Sequence, residues 1–247
     1  MAASDNRKIP YNYTSADDSQ IVRLLIGDSG FRRLQKSRLL KSSGPTLHPL
    51  MRFFGDMFML RRNPFVRNEL IVSPRRHRRF FKAVRVDLQM ALQSAPPEAR
   101  PVMDDCLHLL DETDAGIRRI RDAQRLIGRC LAPIVGRNHI FTDPFSLNAH
   151  VTDATNWRLH LPLAVVRPTR EAQVPALIRV LAAENFTIVP RGGGTGLTGG
   201  SVPLAGGCVI VNTERLNRIH GIETVDMEIE SGGRQPVPAI HLEAGAI

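Results

Sequence analysis

The sequence predicts an α+β protein in which an all-helical N-terminal unit precedes a βαβ arrangement with a glycine-rich loop. Apolar residues recur at helical spacing up to residue 132, whereas beyond residue 162 short β-branched runs bounded by Pro and Gly are typical of buried strands. The charge changes as well: residues 1–147 carry 25 Lys and Arg against 15 Asp and Glu, and residues 148–247 carry 8 against 9. Two units with different roles are therefore predicted.

The helical unit is predicted element by element from its caps and periodicity. Tyr11 and Tyr13 lie in an extended N-terminal segment, and residues 42–45 form a break. Proline suits the first turn of a helix, so a long helix begins at Pro74 and ends before a proline-rich turn at residues 94–101. The other predicted helices cover residues 20–26, 47–60, 102–110 and 114–131.

The second half is predicted as strands around one helix, after an irregular stretch from residue 133 to 161. A helix over 171–185 follows a capping Thr169. The predicted strands cover residues 163–166, 186–189, 208–211 and 223–231, and a further strand opens at 241–247. We expect a basic helical leader domain at residues 1–132, a linker at 133–150 and a second domain at 151–247.

A loop with six glycines between Gly192 and Gly200 separates two of these strands. Dense glycines allow several backbone amides to point at one place, and such a concave nest binds anions, above all phosphates. The loop contains G-x-G-x-x-G at Gly194, Gly196 and Gly199, but no helix follows it, which argues against a Rossmann nicotinamide site. No Gly-Lys-Ser/Thr closes a nucleotide-triphosphate loop.

Residues 191–200, with Pro190 before them, resemble the pyrophosphate loop of the FAD-binding domain (PCMH type) of the vanillyl-alcohol oxidase / p-cresol methylhydroxylase superfamily. Segments 152–155, 162–168, 212–219 and 243–245 have the order and spacing of that domain. Within the superfamily, the chain most resembles the FAD-linked D-2-hydroxy-acid dehydrogenases, such as the glycolate oxidase flavin subunit and D-lactate dehydrogenase. The leader, at residues 7–15, 55–56 and 62–64, resembles that of large bacterial FAD/iron–sulfur oxidoreductases.

The resemblance implies that residues 151–247 are the first part of an FAD-binding domain, so we expect the chain to be the N-terminal part of a larger polypeptide or a truncated gene product. The implied activity is hydride transfer from a 2-hydroxy acid to flavin N5. The FAD-binding residues implied are Pro190, Arg191, Gly192, Gly193, Gly194, Thr195, Gly196, Leu197, Thr198, Gly199, Gly200, Ser201 and Gly245.

The resemblance also bears on how FAD is held. Some relatives attach it through a histidine four residues after the loop arginine; here that position is Thr195, so noncovalent FAD is expected. Arg191 is expected either to clamp a phosphate or to brace the loop, as this position more often does in the family. Asp153 is expected to form a turn or to orient the flavin. An iron–sulfur cluster is expected only in a longer parent chain, because this chain has no Cys-x-x-Cys pair.

No catalytic residue is predicted. Oxidation of a 2-hydroxy acid needs a base for the hydroxyl proton, and four histidines are candidates by chemistry alone, although an ordinary core or surface histidine is the favoured interpretation for each. These are His150, His160, His220 and His241.

The alternative function is a non-enzymatic basic helical module that binds an acidic protein or nucleic acid beside an incomplete flavin domain. The charged helix faces lack interleaved aromatic residues and no DNA-binding motif is present, which argues against nucleic acid.

No apolar run is long enough to span a membrane, and no signal peptide is evident. Three scattered cysteines indicate reduced thiols and no metal site, so a cytoplasmic location is expected.

Overall fold

A computed structural model describes residues 18–37, 47–228 and 232–246. The chain divides into two compact units, Met1–Asp122 and Ala123–Ile247. Helices form the first unit and a small mixed sheet lies in the second, which confirms the α+β class. The predicted segment with Tyr11 and Tyr13 and the break at residues 42–45 lie outside the described residues. The domain boundaries predicted at residues 132 and 150 stay predictions.

The first unit is built from helices that share one apolar core. On α2, buried side chains recur every three or four residues, from Leu50 through Phe53, Phe54 and Met57 to Leu60. This spacing places them on one face of the helix, which packs into the core. The helices are α1 (Asp18–Lys36), α2 (Leu47–Arg62), α3 (Pro64–Val72), α4 (Pro74–Gln93) and α5 (Arg100–Val135).

Two N-terminal caps fix the turns between α2, α3 and α4. Asn63 Oδ1 accepts hydrogen bonds from the amides of Phe65 at 3.0 Å and Val66 at 3.2 Å. Ser73 Oγ accepts one from the Arg76 amide at 3.3 Å. In both helices proline occupies the first turn, where no amide hydrogen is needed. The predicted start at Pro74 is confirmed.

The break predicted at Gly27 is present, because Gly27 adopts non-helical φ 70° and ψ 175° and separates two helical stretches of α1, the second of which continues to Lys36. Another predicted break is wrong. The two helices expected at 102–110 and 114–131 form the single helix α5. Residues 111–113 contain no glycine or proline, and the Thr113 hydroxyl donates to the Leu109 carbonyl at 2.7 Å within the helix. The polar residues at 111–113 therefore do not interrupt α5.

The second unit holds a four-stranded sheet in the order β1-β2-β4-β3. Strands β2, β3 and β4 are parallel, and β1 pairs antiparallel with β2. Every residue of β4 is buried, as expected of a central strand in a parallel sheet. The elements are β1 (Ile140–Phe141), α6 (Pro144–Ala149), β2 (Ala164–Val166), α7 (Val174–Ala183), β3 (Thr187–Arg191) and β4 (Cys208–Asn212).

An antiparallel pair, β5 (Ile219–Glu228) and β6 (Arg234–Leu242), completes the second unit. The strand predicted at 241–247 is wrong, because residues 243–246 fold as a turn after β6. The end of the strand predicted at 223–231 lies outside the described residues. The stretch 133–161, expected to be irregular, contains the last turn of α5 together with β1 and α6.

The cap at Asn63 provides a test of the helical unit. Replacing Asn63 by Ala removes the only side-chain acceptor that the structure shows for the Phe65 and Val66 amides. The free energy of unfolding should fall by about 1 kcal/mol, as for other N-caps. Chemical denaturation followed by far-UV circular dichroism measures this. Gln89→Ala, on the exposed side of α4, should change it by less than about 0.5 kcal/mol; equal losses in both variants would contradict the role of the cap.

Candidate cofactor-binding site

The glycine loop lies at the carboxyl edge of the parallel strands. It begins directly after Arg191, the last residue of β3, and the chain then enters β4 without an intervening helix. Because β2, β3 and β4 run in the same direction, their carboxyl ends meet at this edge. Ligands of open α/β sheets bind in the crevice at this edge. The strand–loop–strand arrangement expected from the sequence is therefore present.

The loop presents backbone amides that have no internal partner. In the described part of the chain, no hydrogen bond is donated by the amides of residues 193–198. Most of these residues are exposed, with Leu197 at 78%. Unpaired amides facing solvent are available to an anionic ligand, since neutral dipoles can hold phosphate oxygens without a countercharge.

Arg191 holds the loop from one side. Its Nη1 donates to the Thr152 carbonyl at 2.7 Å, and its guanidinium lies so close to Gly194 that a Cβ there would overlap it. Gly194 also adopts φ 73°, which side-chain-bearing residues rarely take. Partial burial lowers the pKa of Arg191, and the carboxylates of Glu214 and Asp153 oppose that shift. These contacts brace the loop, and a contact of Arg191 with phosphate stays a prediction.

Asp153 forms a turn beside the loop. Its Oδ1 accepts from the Thr155 hydroxyl at 2.6 Å and from the Thr155 amide at 2.8 Å. These bonds lower the pKa of the carboxyl, and the Gly199 amide contributes in the same direction. The turn is tied to the loop by the Ala154 amide, which donates to the Gly196 carbonyl at 3.3 Å. Oδ2 is shielded by this turn and has no partner among the described residues.

Trp157 covers the other end of the loop, a contact that the sequence did not reveal. A Cβ at Gly199 would lie 2.6 Å from Trp157 Cε3, so only glycine allows this approach. Gly199 also adopts φ 76°. Trp157 is the only tryptophan of the chain and is 39% exposed. It therefore provides a fluorescent reporter of the loop and of the second unit.

Gly245 lies in a turn beside the start of the loop, and its expected contact with FAD stays a prediction. Its amide donates to the Leu216 carbonyl at 2.7 Å, and a Cβ there would overlap the Thr213 backbone. Thr213 also donates from its amide to the Arg191 carbonyl at 2.8 Å. The turn at residues 243–246 is thus held against the segment after β4, next to Gly192. No structural observation identifies a role for Gly245 beyond this packing.

His150 and Asn212 form a buried polar pair behind the site. His150 Nδ1 donates to the Ser146 carbonyl at 2.8 Å, so Nε2 is the acceptor for Asn212 Nδ2 at 3.0 Å. Asn212 Oδ1 in turn accepts from the Glu214 amide at 2.9 Å. Burial lowers the pKa of His150, and Arg191 and Arg167 lower it further, against the opposing bond to Ser146. The neutral ring therefore joins the end of α6 to the end of β4.

The other candidate histidines lie outside the loop contacts described above. His220 and His241 stack on each other across β5 and β6, with centroids 4.5 Å apart. His160 Nδ1 lies 4.0 Å from the position that a Cβ on Gly206 would occupy. None of the described residues forms a cluster of three or more His, Cys, Asp or Glu side chains that could hold a metal.

The loop fits the pyrophosphate of FAD. A Cβ added at Gly196 would meet open space, and Cβ atoms at Gly193 and Gly200 would make only ordinary contacts with Thr195 and Thr198, at 3.8 and 3.9 Å, so no close packing fills these exposed positions. Gly194 and Gly199 instead face Arg191 and Trp157, and serve the packing of the loop. Hydroxyls of Thr195, Thr198 and Ser201 lie in the same segment. This combination of free amides, open glycine faces and hydroxyl donors suits a doubly charged phosphate ligand.

Comparison with protein families agrees with this geometry. Residues 162–241 match the family model described as the FAD binding domain. The resemblance drawn from the glycine loop is confirmed by this match, and so is FAD as the expected cofactor. Residues 4–122 match a different family model, described only as a protein of unknown function.

Curated relatives match about two fifths of the chain. D-2-hydroxyglutarate dehydrogenase of Xanthomonas citri pv. viticola is 34% identical over 100 residues, which cover 40% of this chain and 21% of that protein. The Stutzerimonas stutzeri protein of the same name is 35% identical over 96 residues, covering 39% of this chain and 20% of the relative. Quinone-dependent D-lactate dehydrogenase of Haemophilus influenzae is 32% identical over 110 residues, which cover 43% of this chain and 19% of the relative. The chain spans about a fifth of the length of these relatives.

Among solved structures, p-cresol methylhydroxylase with substrate bound matches at 19% identity and a TM-score of 0.37, covering 41% of this chain and 20% of that one. Alkyldihydroxyacetonephosphate synthase matches at 19% identity and a TM-score of 0.37, covering 42% of this chain and 24% of that one.

No helix in the described part of the chain has both the length and the hydropathy that a membrane span requires.

The buried pair predicts how the stability of the second unit depends on pH. The pKa of His150 is lower in the folded protein than in the unfolded chain, so the unfolded chain binds the proton first as the pH falls. The free energy of unfolding should therefore keep its full value above pH about 6.5 and should decrease as the pH falls below that value. Urea unfolding followed by Trp157 fluorescence between pH 5 and pH 8 measures this dependence.

A variant separates His150 from the other titrating groups. His150→Gln should flatten this pH dependence, because glutamine does not titrate. His48→Gln, at an exposed position on α2, should keep the wild-type profile. A His150→Gln profile parallel to that of the wild type would show that another group is responsible.

Proposed function

We propose that the second unit binds FAD noncovalently and forms part of a flavin-dependent dehydrogenase that acts on 2-hydroxy acids. The observation that carries this proposal is the row of unpaired amides at residues 193–198, at the carboxyl edge of a parallel sheet. The match to the FAD binding domain model, which includes this loop, supports it. The relatives' names supply the substrate class, and their proteins are about five times longer than the matched part.

Each part of the loop has a separate task in this proposal. The amides of residues 193–198 hold the pyrophosphate oxygens, and the hydroxyls of Thr195, Thr198 and Ser201 add donors. Arg191 keeps the loop in place through the Thr152 carbonyl. Thr195 stands where some relatives of this superfamily carry the flavin-linking histidine, and a threonine hydroxyl does not form a histidyl bond. When bound, FAD supplies the hydride acceptor for oxidation of the hydroxy acid.

None of the loop residues described above is proposed as the base that takes the hydroxyl proton of the substrate. His150 is unsuited to this task, because both ring nitrogens are engaged, with Ser146 and with Asn212. We propose that the substrate and the electron acceptor, including any iron–sulfur cluster, meet parts of the parent protein other than the glycine loop. We also propose a cytoplasmic location, consistent with three free cysteines.

A second candidate function concerns the helical unit alone. Exposed cations on α4 favour a basic module that binds an acidic protein. Arg75 and Arg79, for example, have no carboxylate partner among the described residues. This function does not require FAD, so the flavin content of the protein separates the two candidates.

Purification of the protein encoded by the complete reading frame tests the flavin proposal. We expect a yellow protein that releases FAD into the supernatant when it is denatured with acid, as a noncovalent cofactor does. Absorbance of the supernatant, with chromatographic comparison to authentic FAD, measures the amount released. A colourless protein that takes up no added FAD would contradict the proposal, and flavin that stays with the precipitated protein would contradict noncovalent binding.

Two glycine variants of that protein test the assignment of the loop. Gly196→Ala adds a methyl group to open space, so it should leave the free energy of unfolding within about 0.5 kcal/mol of the wild type while reducing bound FAD per folded molecule. Gly194→Ala forces a side chain to φ 73° against Arg191 and should cost about 1–2 kcal/mol of stability. Thermal unfolding and flavin content are measured together. Wild-type flavin content in folded Gly196→Ala would show that the amides of this loop do not hold the cofactor.

A further inference from the structure

A cleft of about 580 Å³ lies within the helical unit, between α4 and α5. It is lined only by residues of these two helices, so it is independent of the glycine loop. Five of the lining side chains are cations and one is a carboxylate, that of Asp114. Volumes of this size are typical of small-molecule sites. Such a cleft can bind a ligand or catalyse a reaction, and the contacts of its wall distinguish the two.

The inner wall of the cleft is held rigidly. His77 is 4% exposed, and its Nε2 donates to Asp114. Arg121 Nη2 donates to His77 Nδ1 at 2.7 Å, and the same guanidinium donates to the carbonyls of Leu70 and Ile71 at 2.6 and 2.7 Å. Both ring nitrogens of His77 are thus occupied. Because neither nitrogen is free to meet a ligand, the wall is suited to binding rather than to acid–base catalysis.

The rim of the cleft carries an excess of positive charge. Arg78, Lys82 and Arg85 follow one another on α4 at spacings of four and three residues, which places them on one helix face. Arg118 approaches the same cleft from α5 and contacts Asp114 at 2.9 Å. Arg85 pairs with Asp111.

Two of these cations remain uncompensated. Arg78 and Lys82 are exposed and pair with no carboxylate in the described ranges 18–37, 47–228 and 232–246. Like charges four residues apart destabilise a helix slightly. An anion between them would remove that repulsion and form charge-assisted hydrogen bonds.

We propose that this cleft binds a small organic anion with two or three negative charges, of the diphosphate or tricarboxylate type. Cations from two helices flank one confined space, and planar guanidinium groups match both phosphate and carboxylate oxygens. The ring of Phe81, which His77 meets edge-on with centroids 4.9 Å apart, gives the cleft an apolar floor. An extended acidic peptide would need cations spread along a surface, whereas these converge on one cleft.

Calorimetric titration of the 247-residue chain tests this proposal, with inorganic pyrophosphate and citrate as separate probes at constant ionic strength. At least one of them should bind saturably, and the one that binds distinguishes phosphate from carboxylate recognition. In the double variant Arg78→Ala/Lys82→Ala, the affinity should fall at least tenfold. Circular dichroism confirms that each variant is folded.

The matched control removes the same charge from the same helix. Arg75 and Arg79 are exposed on α4 but do not line the cleft, so Arg75→Ala/Arg79→Ala should change the affinity less than twofold. Equal losses in the two double variants would show non-specific attraction and overturn the proposal. The proposal would also be overturned if neither pyrophosphate nor citrate bound saturably. A glutamate-rich peptide that bound through Arg78 and Lys82, while both small anions failed to bind, would overturn it as well.

Discussion

The contact between the Arg191 guanidinium, the Thr152 carbonyl and the backbone at Gly194 determines the shape of the glycine loop. Arg191 ends β3, so its backbone position is set by the parallel pairing with β4. Its side chain reaches back to the segment at residues 152–155, and this path requires a residue without Cβ at position 194. Once the loop is held in this way, its amides at 193–198 stay free of internal partners. The brace therefore shapes the segment that we propose as the FAD site.

This arrangement divides the glycines of the loop into two groups. Gly194 and Gly199 are required by protein packing, against Arg191 and Trp157, and both have positive φ. Gly193, Gly196 and Gly200 are exposed, and Cβ atoms there would meet nothing closer than 3.8 Å. A glycine-rich motif read from sequence treats all of these positions alike. Under the proposed function, the close approach to phosphate belongs to the second group.

The sequence predicted the fold class and the main elements, because these depend on local signals. Pro74 and the period of apolar residues on α2 are such signals, and so are the β-branched runs around the loop. It failed where local signals were weak or ambiguous: residues 111–113 are polar but compatible with a helix, and α5 continues through them. The contacts of His150 with Asn212 and of Trp157 with Gly199 join residues far apart in the chain. No pattern within a short window reveals such pairs.

The two halves of the chain offer anions two physically different environments. The glycine loop uses neutral amide dipoles in a segment, residues 148–247, where acidic side chains slightly outnumber basic ones. The cleft between α4 and α5 uses ionised side chains, several of them exposed, in a strongly basic segment. Interactions between exposed charges weaken as salt screens them, whereas bonds from fixed amides depend mainly on geometry. Under the two proposals, specificity in the loop is therefore set by where the backbone allows a ligand to approach, and specificity in the cleft by how many charges the ligand presents at once.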